Sequence, residues 1–425
     1  MSVFIQFAFT LLLLFSPHPA TLAETVPITH GPILGRPGAR SVAVWARTAS
    51  PAGFHVVYST AVDTLAHRSH SVQTLLDHDN TGVVELSGLE PYTRYYYKVR
   101  PDGGEPGPGG SFRTLRESDS LVDPDLNPEG LFNFKFEFGC GNAQRGSTPG
   151  AQPLFKTMVD KIAEDISFAI LNGDFIYETD RDYTPEAWRQ QVGISTDQTP
   201  RVVSLLPTVT GVWENYKTYL SRGANLAEWH RNVPSYFTID DHETLNDVYG
   251  SGSTGFRARR AVFRDIGTRA WYDYLAWSNP RVHDAGIHFG RGSLRAGSDV
   301  LTDEDADFTA LNLEEMSNLH VHWGGARAGE NLRATDEYEG DPNAGVYEIV
   351  GVLGPRQLRI RPPASADGEM SYSIGRRNWG KFRVANCEFY LLDTRSYRDA
   401  RNLQQPDEPG ISMLGKPQLT WLVDE

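Results

Sequence analysis

Cysteine is nearly missing from this chain. Two in 425 residues allow one internal disulfide at most and exclude a cysteine-stapled scaffold. An excess of positive charge is missing as well. Forty Lys and Arg stand against 54 Asp and Glu, a net charge of −14. That balance argues against a specific nucleic-acid-binding surface, which needs basic groups against phosphate. Long apolar runs are absent beyond the first residues. Val3 to Phe15 is apolar apart from Gln6 and Thr10, but it is shorter than the ~20 residues of a membrane span. What is plentiful is Gly (40) and Pro (26), so turns are frequent, and 40% apolar residues are enough for a large core. At ~100–200 residues per domain, two or three domains are expected.

The apolar start is followed by Ser-Pro-His-Pro and then Ala20-Thr21-Leu22-Ala23. Small residues at the third and first positions before a cut after Ala23 read as a signal-peptidase site, although no Lys or Arg precedes the run. The expectation is an exported protein (periplasmic, cell-surface or extracellular). Residues 1–23 would be removed, and no membrane-spanning segment would remain. An N-terminal amphiphilic anchor is the alternative.

Residues 24–116 carry β grammar: short runs such as Ser41 to Ala46 and Phe54 to Tyr58, read as alternating strands separated by turn residues. Leu89-Glu90-Pro91-Tyr92-Thr93-Arg94-Tyr95 entering a strand resembles the tyrosine corner of fibronectin type III domains, with Tyr95 as the corner residue. A small all-β sandwich is expected. Residues 117–130 are polar with two prolines and read as a linker.

From Leu131 the grammar becomes α/β. A strand over Phe132 to Phe138 meets Gly139-Cys140. Pro153 to Glu164 has helical apolar spacing, and Phe168 to Leu171 is a buried-type strand ending in Asn172-Gly173-Asp174. Tyr183 to Arg231 reads as largely helical. Tyr236 to Ile239 is a strand ending at Asp240-Asp241-His242-Glu243, and Phe382 to Ala385 and Phe389 to Leu392 are strands near the end. Residues 250–380 are hard to place, apart from β character over Val346 to Ile360.

Three polar clusters therefore follow strands, where ligands of open α/β sheets collect. Asp174 is placed to bridge two cations, against the alternative of a strand-end turn former. Tyr177 lies about one helical turn on. Its phenol loses a proton near neutral pH only to a strongly acidic cation such as ferric iron, and a packed loop aromatic is the competing reading. Asp240 and Asp241 repel one another unless cations offset them. His242 among them gains basicity and suits a general acid, and the amide oxygen of Asn246 suits calcium. An acidic helix start would explain the Asp residues but not the His. Cys140 is open between a buried thiol, a disulfide to Cys387 and a metal ligand. For His320-Val321-His322, packed or surface histidines are favoured over a metal site.

Phe138-Gly-Cys140, Asn172-Gly-Asp174-Phe-Ile-Tyr177, Asp240-Asp-His-Glu-x-x-Asn246, Asp393-Thr-Arg-Ser-Tyr-Arg398 and Leu414-Gly-x-x-Gln-x-x-Trp-Leu422 occur in this order. With the β front they resemble the PhoD-type alkaline phosphatase/phosphodiesterase family. The resemblance implies an α/β/β/α metallophosphoesterase sandwich over residues 131–425 behind the fibronectin type III-like sandwich. It also implies hydrolysis of a small phosphate mono- or diester through attack by a metal-bound hydroxide. The implied cofactors are Fe3+ and Ca2+: Cys140 and Tyr177 on iron, Asp174 bridging, and Asp241 and Asn246 as further ligands. Asp241 and His242 are then the catalytic candidates. Arg395 would bind substrate or form a surface salt bridge. Metallophosphoesterases take further His ligands after the Gln-x-x-Trp-Leu helix, and here the sequence stops within it. The expectation is thus a domain incomplete at its C-terminus. A secreted glycosidase and a non-catalytic surface-binding protein are the rival classes. Oligomeric state is open.

Overall fold

Short β-branched and aromatic runs broken by Gly, Pro and Asp produce eight strands up to and including Arg113. The computed structural model describes residues 25–144, 152–178, 181, 183–280, 286–322 and 341–424, so the expected signal peptide lies outside the described residues. β1 (Ile28–Gly35), β2 (Ser41–Thr48) and β6 (Thr81–Ser87) form one antiparallel sheet. β3 (Gly53–Ser59) pairs with β7 (Arg94–Pro101) and with the short β4 (His67–Arg68) and β5 (Val72–Gln73), and β8 (Gly109–Arg113) follows β7. Between the sheets Leu34, Val44 and Leu86 pack against Phe54, Val99 and Phe112. The Glu90 N–H donates to the Tyr95 hydroxyl at 2.9 Å. This is the bond expected of a corner tyrosine, and it satisfies a buried phenol while pinning the turn.

One strand departs from the alternating pattern read in the sequence. β2 is buried along nearly its whole length. Val42, Val44 and Ala46 face the sandwich interior, whereas Ala43 and Trp45 enter the core of the following α/β unit. A strand covered on both faces carries a continuous apolar run. Trp45 completes the junction by donating its indole N–H to the Asp273 carbonyl at 2.9 Å.

Asp79 lies buried in the same junction. Arg47 donates to it from Nε (3.1 Å) and Nη2 (3.0 Å), Trp188 from Nε1 (2.7 Å) and Tyr274 from Oη (2.5 Å), with Lys217 Nζ at 3.7 Å. Burial alone would raise its pKa, but the charges of Lys217 and Arg47 outweigh burial and hold the carboxyl below its ordinary value. A depressed folded-state pKa contributes stability that is present above the unfolded value of about 3.9. It is lost as pH falls through the lower folded value. Asp79→Ala would leave the buried Arg47 without its anion and Lys217 with Glu214 alone, at 2.9 Å. We expect it to cost about 3–5 kcal/mol in urea unfolding at pH 7. A loss below ~1 kcal/mol, the size of an exposed pair, would mean the network does not hold the junction.

The α/β unit begins with β9 (Phe136–Gly139), α1 (Pro153–Lys161) and β10 (Phe168–Asn172). Four helices follow: α2 (Pro185–Val192), α3 (Arg201–Leu205), α4 (Val209–Arg222) and α5 (Ala224–Asn232). The chain then returns to β11 (Ser235–Thr238). The three strands are parallel in the order β11-β10-β9. One face, with Ala169 and Phe237, packs on the helices, including Trp213 and Trp229. The other, with Phe168, Ile170 and Tyr236, packs on Phe382, Val384, Phe389 and Leu391. Those four come from the hairpin β18 (Gly380–Val384) and β19 (Cys387–Leu391).

The region the sequence pattern left unplaced holds α6 (Arg259–Tyr274) and six strands: β12 (His288–Leu294), β13 (Val300–Thr302), β14 (Met316–Val321), β15 (Gly345–Gly354), β16 (Gln357–Arg361) and β17 (Gly368–Arg376). They close into an antiparallel barrel in the order β12-β13-β16-β15-β14-β17 around Leu301, Leu319, Leu358 and Tyr372. The last described helix is α7 (Gly415–Asp424). Its Gln418 side chain brackets the end of β19, accepting from the Asp393 N–H (2.8 Å) and donating to the Asp393 carbonyl (2.6 Å).

Candidate metal centre

The carboxyl ends of β9, β10 and β11 lie side by side because the strands are parallel and in register. Each runs into one of the polar clusters. After β10 the chain turns sharply at Gly173 (φ 74°) and Asp174 (φ 55°). A Cβ at Gly173 would overlap Asp240, so glycine is what lets the second and third clusters touch. Asp is among the few side chains that adopt the left-handed conformation readily. The Gly173 and Asp174 carbonyls accept from the Gly141 (3.2 Å) and Asn142 (2.7 Å) N–H groups. These bonds zip the Cys140 loop onto the Asp174 loop.

Glu243 joins the other side. It is buried and accepts from the Phe175 N–H at Oε1 (2.7 Å) and the Asp240 N–H at Oε2 (2.9 Å). Burial pushes its pKa up to about 7 despite these bonds. Arg181 donates to the carbonyls of Thr244 and His242, the latter at 2.8 Å. Residues 240–246 form turns rather than a helix, so a helix-start role for the Asp residues does not apply.

Within this frame Asp174, Asp241 and His242 each offer a ligand atom, and the three atoms lie within 4.8 Å of one another. Asp174 Oδ1 is buried without a hydrogen-bond partner. Burial, then the Asp241 charge, pushes the Asp174 pKa up to about 6. Two carboxylates this close need a cation or a proton to offset them, and the orphaned oxygen fits a cation. Tyr177 donates to Asp174 Oδ2 at 3.3 Å, and burial, then the Asp174 charge, pushes its phenol up to about 12. The Cys140 thiol is also raised, by burial and then by Asp174, Asp240 and Glu243. Both groups would deprotonate only against added positive charge.

His242 has a partner the sequence reading did not include. Its Nδ1 lies 2.5 Å from Glu178 Oε2, and the Asn246 N–H donates to Glu178 Oε1 at 2.8 Å. Burial disfavours the imidazolium, but the Glu178 bond and charge, followed by Asp241 and Asp174, outweigh it and raise the His242 pKa. The available signal was Glu178 itself, a carboxylate directly after Tyr177 in the second motif.

The other candidates fall as follows. Cys140 and Cys387 are both exposed and unbridged, which removes the disulfide reading. Cys140 is outside the group of three. Asn246 is exposed, and its side chain donates to Asp247 Oδ2 at 3.4 Å. The Asp247 N–H donates to Asp241 Oδ2 at 2.5 Å. Arg395, whose side chain is 13% exposed, donates from Nε to Asp240 Oδ1 (2.6 Å) and from Nη1 to the Val248 carbonyl (3.2 Å). It is a largely buried ion pair beside the centre, not a surface one. His320 and His322 are buried in the barrel. His320 bonds Asp265 Oδ2 (3.0 Å), and His322 sits between Ser371 (3.3 Å) and Ser373 (3.1 Å). They are packed histidines, as favoured.

The model of the PhoD-like phosphatase family matches residues 134–291, and the model of that family's N-terminal domain matches residues 16–116. The chain belongs to the PhoD-like phosphatase family. Its fold is that of a solved PhoD structure, at a TM-score of 0.53 and 17% identity, covering 96% of this chain and 60% of that one. The chain thus spans about 60% of that relative's length. A purple acid phosphatase from yellow lupin (Lupinus luteus) matches at 14% identity and a TM-score of 0.35, covering 59% of this chain and 41% of its own. A fibronectin type III domain from a human protein matches at 17% identity and a TM-score of 0.15, covering 31% of this chain and 88% of its own. No curated protein sequence matches the chain. The PhoD-like model ends just inside β12, so the rest of the barrel lies beyond it.

Proposed function

We propose that this protein is an exported, metal-dependent hydrolase of phosphate mono- or diesters. The observation that carries this reading is the convergence of Asp174, Asp241 and His242, with one orphaned carboxylate oxygen, at the strand ends of a PhoD-like fold. Asp174 and Asp241 would hold the cations, with Cys140 and Tyr177 on a ferric ion and Asn246 beside a calcium ion. When bound, the cations offset the charge of the phosphate oxygens and lower the pKa of water.

The remaining steps belong to the chain. Glu178 holds Nδ1 of His242 and so orients the ring, leaving Nε2 to donate a proton to the departing alkoxide. Arg395 holds Asp240 and keeps the third cluster against Gly173. The strand order of the front domain and its Tyr95 corner support a fibronectin type III-like sandwich.

Metal analysis of purified protein, with an absorption scan for a phenolate-to-iron band, tests the centre. Stoichiometric iron and calcium are expected, together with phosphate-ester hydrolysis that chelators abolish. Absence of bound metal, or hydrolysis of glycosides that resists chelators, would refute the proposal.

A further inference from the structure

Residues 240–246 run through turns with no helical ladder of their own, so their buried carbonyls need donors from elsewhere. One side chain meets two of them. Arg181 donates from Nη1 to the Thr244 carbonyl and from Nη2 to the His242 carbonyl, the latter at 2.8 Å. Its remaining arm is anchored on α4, where Nε donates to Asn215 Oδ1 at 3.2 Å. Asn215 is fully buried. The backbone packs on the same helix. A Cβ at Gly211 would overlap the Arg181 carbonyl, so only glycine lets α4 come this close.

Glu178 stands three positions earlier in the chain and holds the same turn through other atoms. Its Oε2 lies 2.5 Å from His242 Nδ1, and its Oε1 accepts from the Asn246 N–H at 2.8 Å. The two side chains thus grip residues 242–246 at four points: one ring nitrogen, two carbonyls and one N–H. His242 is held twice, at its ring by Glu178 and at its backbone by Arg181. The geometry suits arginine. A guanidinium carries its donors on three nitrogens in one rigid plane, whereas a lysine carries all of its donors on one. Arg181 is not one of the three residues that offer a ligand atom.

We propose that Arg181 is a positioning residue for the proton donor: by fixing the His242 backbone to α4, it sets where Nε2 meets the departing oxygen. The proposal rests on the hydrolase reading, in which His242 delivers that proton. A displacement of about 1 Å at a reacting group costs up to ~10²-fold. The loss falls on alignment and not on the grip of the cations on phosphate, so it belongs in kcat rather than KM.

The test uses Arg181→Ala and Arg181→Lys in the full chain, purified with its metals. Both should lower kcat on an alkyl phosphate by about 10–100-fold, the usual cost of losing a partner that orients a site residue. KM, metal content and the rate on an aryl phosphate with a good leaving group should change little. Millimolar guanidinium chloride should restore part of the alkyl rate in Arg181→Ala, and equal sodium chloride should not. A second measurement needs neither metal nor turnover. In metal-free protein labelled with ¹⁵N-histidine, the His242 ring signal, assigned by its loss in His242→Ala, should shift in Arg181→Lys. Arg181→Lys keeps the charge, which covers the case in which Arg181→Ala fails to fold. A parent chain without metal or turnover would sink the hydrolase reading, and the ring signal would still report on the grip. Equal losses on both esters, no rescue by guanidinium in folded Arg181→Ala, a parent-like Arg181→Lys or an unmoved His242 signal would each overturn the positioning role.

Discussion

Asp174→Asn is expected to strip the protein of its cations and to lower phosphate-ester turnover by more than about 10³-fold. That follows from the several kcal/mol that metal ions supply to such reactions, at 1.36 kcal/mol per factor of ten. The substitution keeps shape and removes charge. It turns the carboxylate that carries the orphaned oxygen, and that shares the site with Asp241, into a neutral amide with one oxygen to offer in place of two. Without metal, the same change should not destabilise the fold. The Asp174 carboxyl is held at about 6, above its ordinary value, by burial and by Asp241. A carboxyl raised in the folded state loses stability as pH rises from ~4 through 6, and the asparagine does not. Metal-free Asp174→Asn should therefore melt at or above the metal-free parent at pH 8. Retained metal and turnover in the variant would end the bridging assignment. A variant that melts far lower without metal would show Asp174 to be structural.

The second large effect is expected at Glu178. Glu178→Gln should slow hydrolysis of alkyl phosphates by about 10–100-fold, the usual cost of removing a partner that orients a site histidine. It should leave aryl phosphates with good leaving groups nearly unchanged and metal content intact. The difference arises because an alkoxide needs the proton His242 would deliver, whereas a stabilised phenolate departs without it. The ceiling is His242→Ala, expected to cost about 10²–10⁴-fold on the alkyl ester. An equal loss on both esters would make Glu178 a general structural support rather than the positioning partner of His242. A loss of bound metal would place it among the ligands.

Much of the architecture was legible because it is written in local pattern. The parallel strands appear as short apolar runs ending in polar clusters, and the cluster order along the chain became neighbourhood in space once β9, β10 and β11 aligned. Tyr95 was readable because its partner is five residues away. The barrel was not readable. Its closing pairs join β12 to β17 and β14 to β17 across most of its length, and no local period records which strands meet. β2 was read as alternating because one strand cannot report that a second domain covers its outer face.

By itself the sequence determined the residue types at the strand ends, the corner tyrosine, the acidic balance and the family these resemble. Tertiary structure alone decided what those groups do to one another. It left Cys140 and Cys387 unbridged, tied Arg395 to Asp240, and set Glu178 on His242 across 64 residues of chain. The physical reason is range. Strand periodicity and turn chemistry act over a few residues, whereas a shared proton, an ion pair or a cation site depends on distances of a few ångströms that only the packed fold creates.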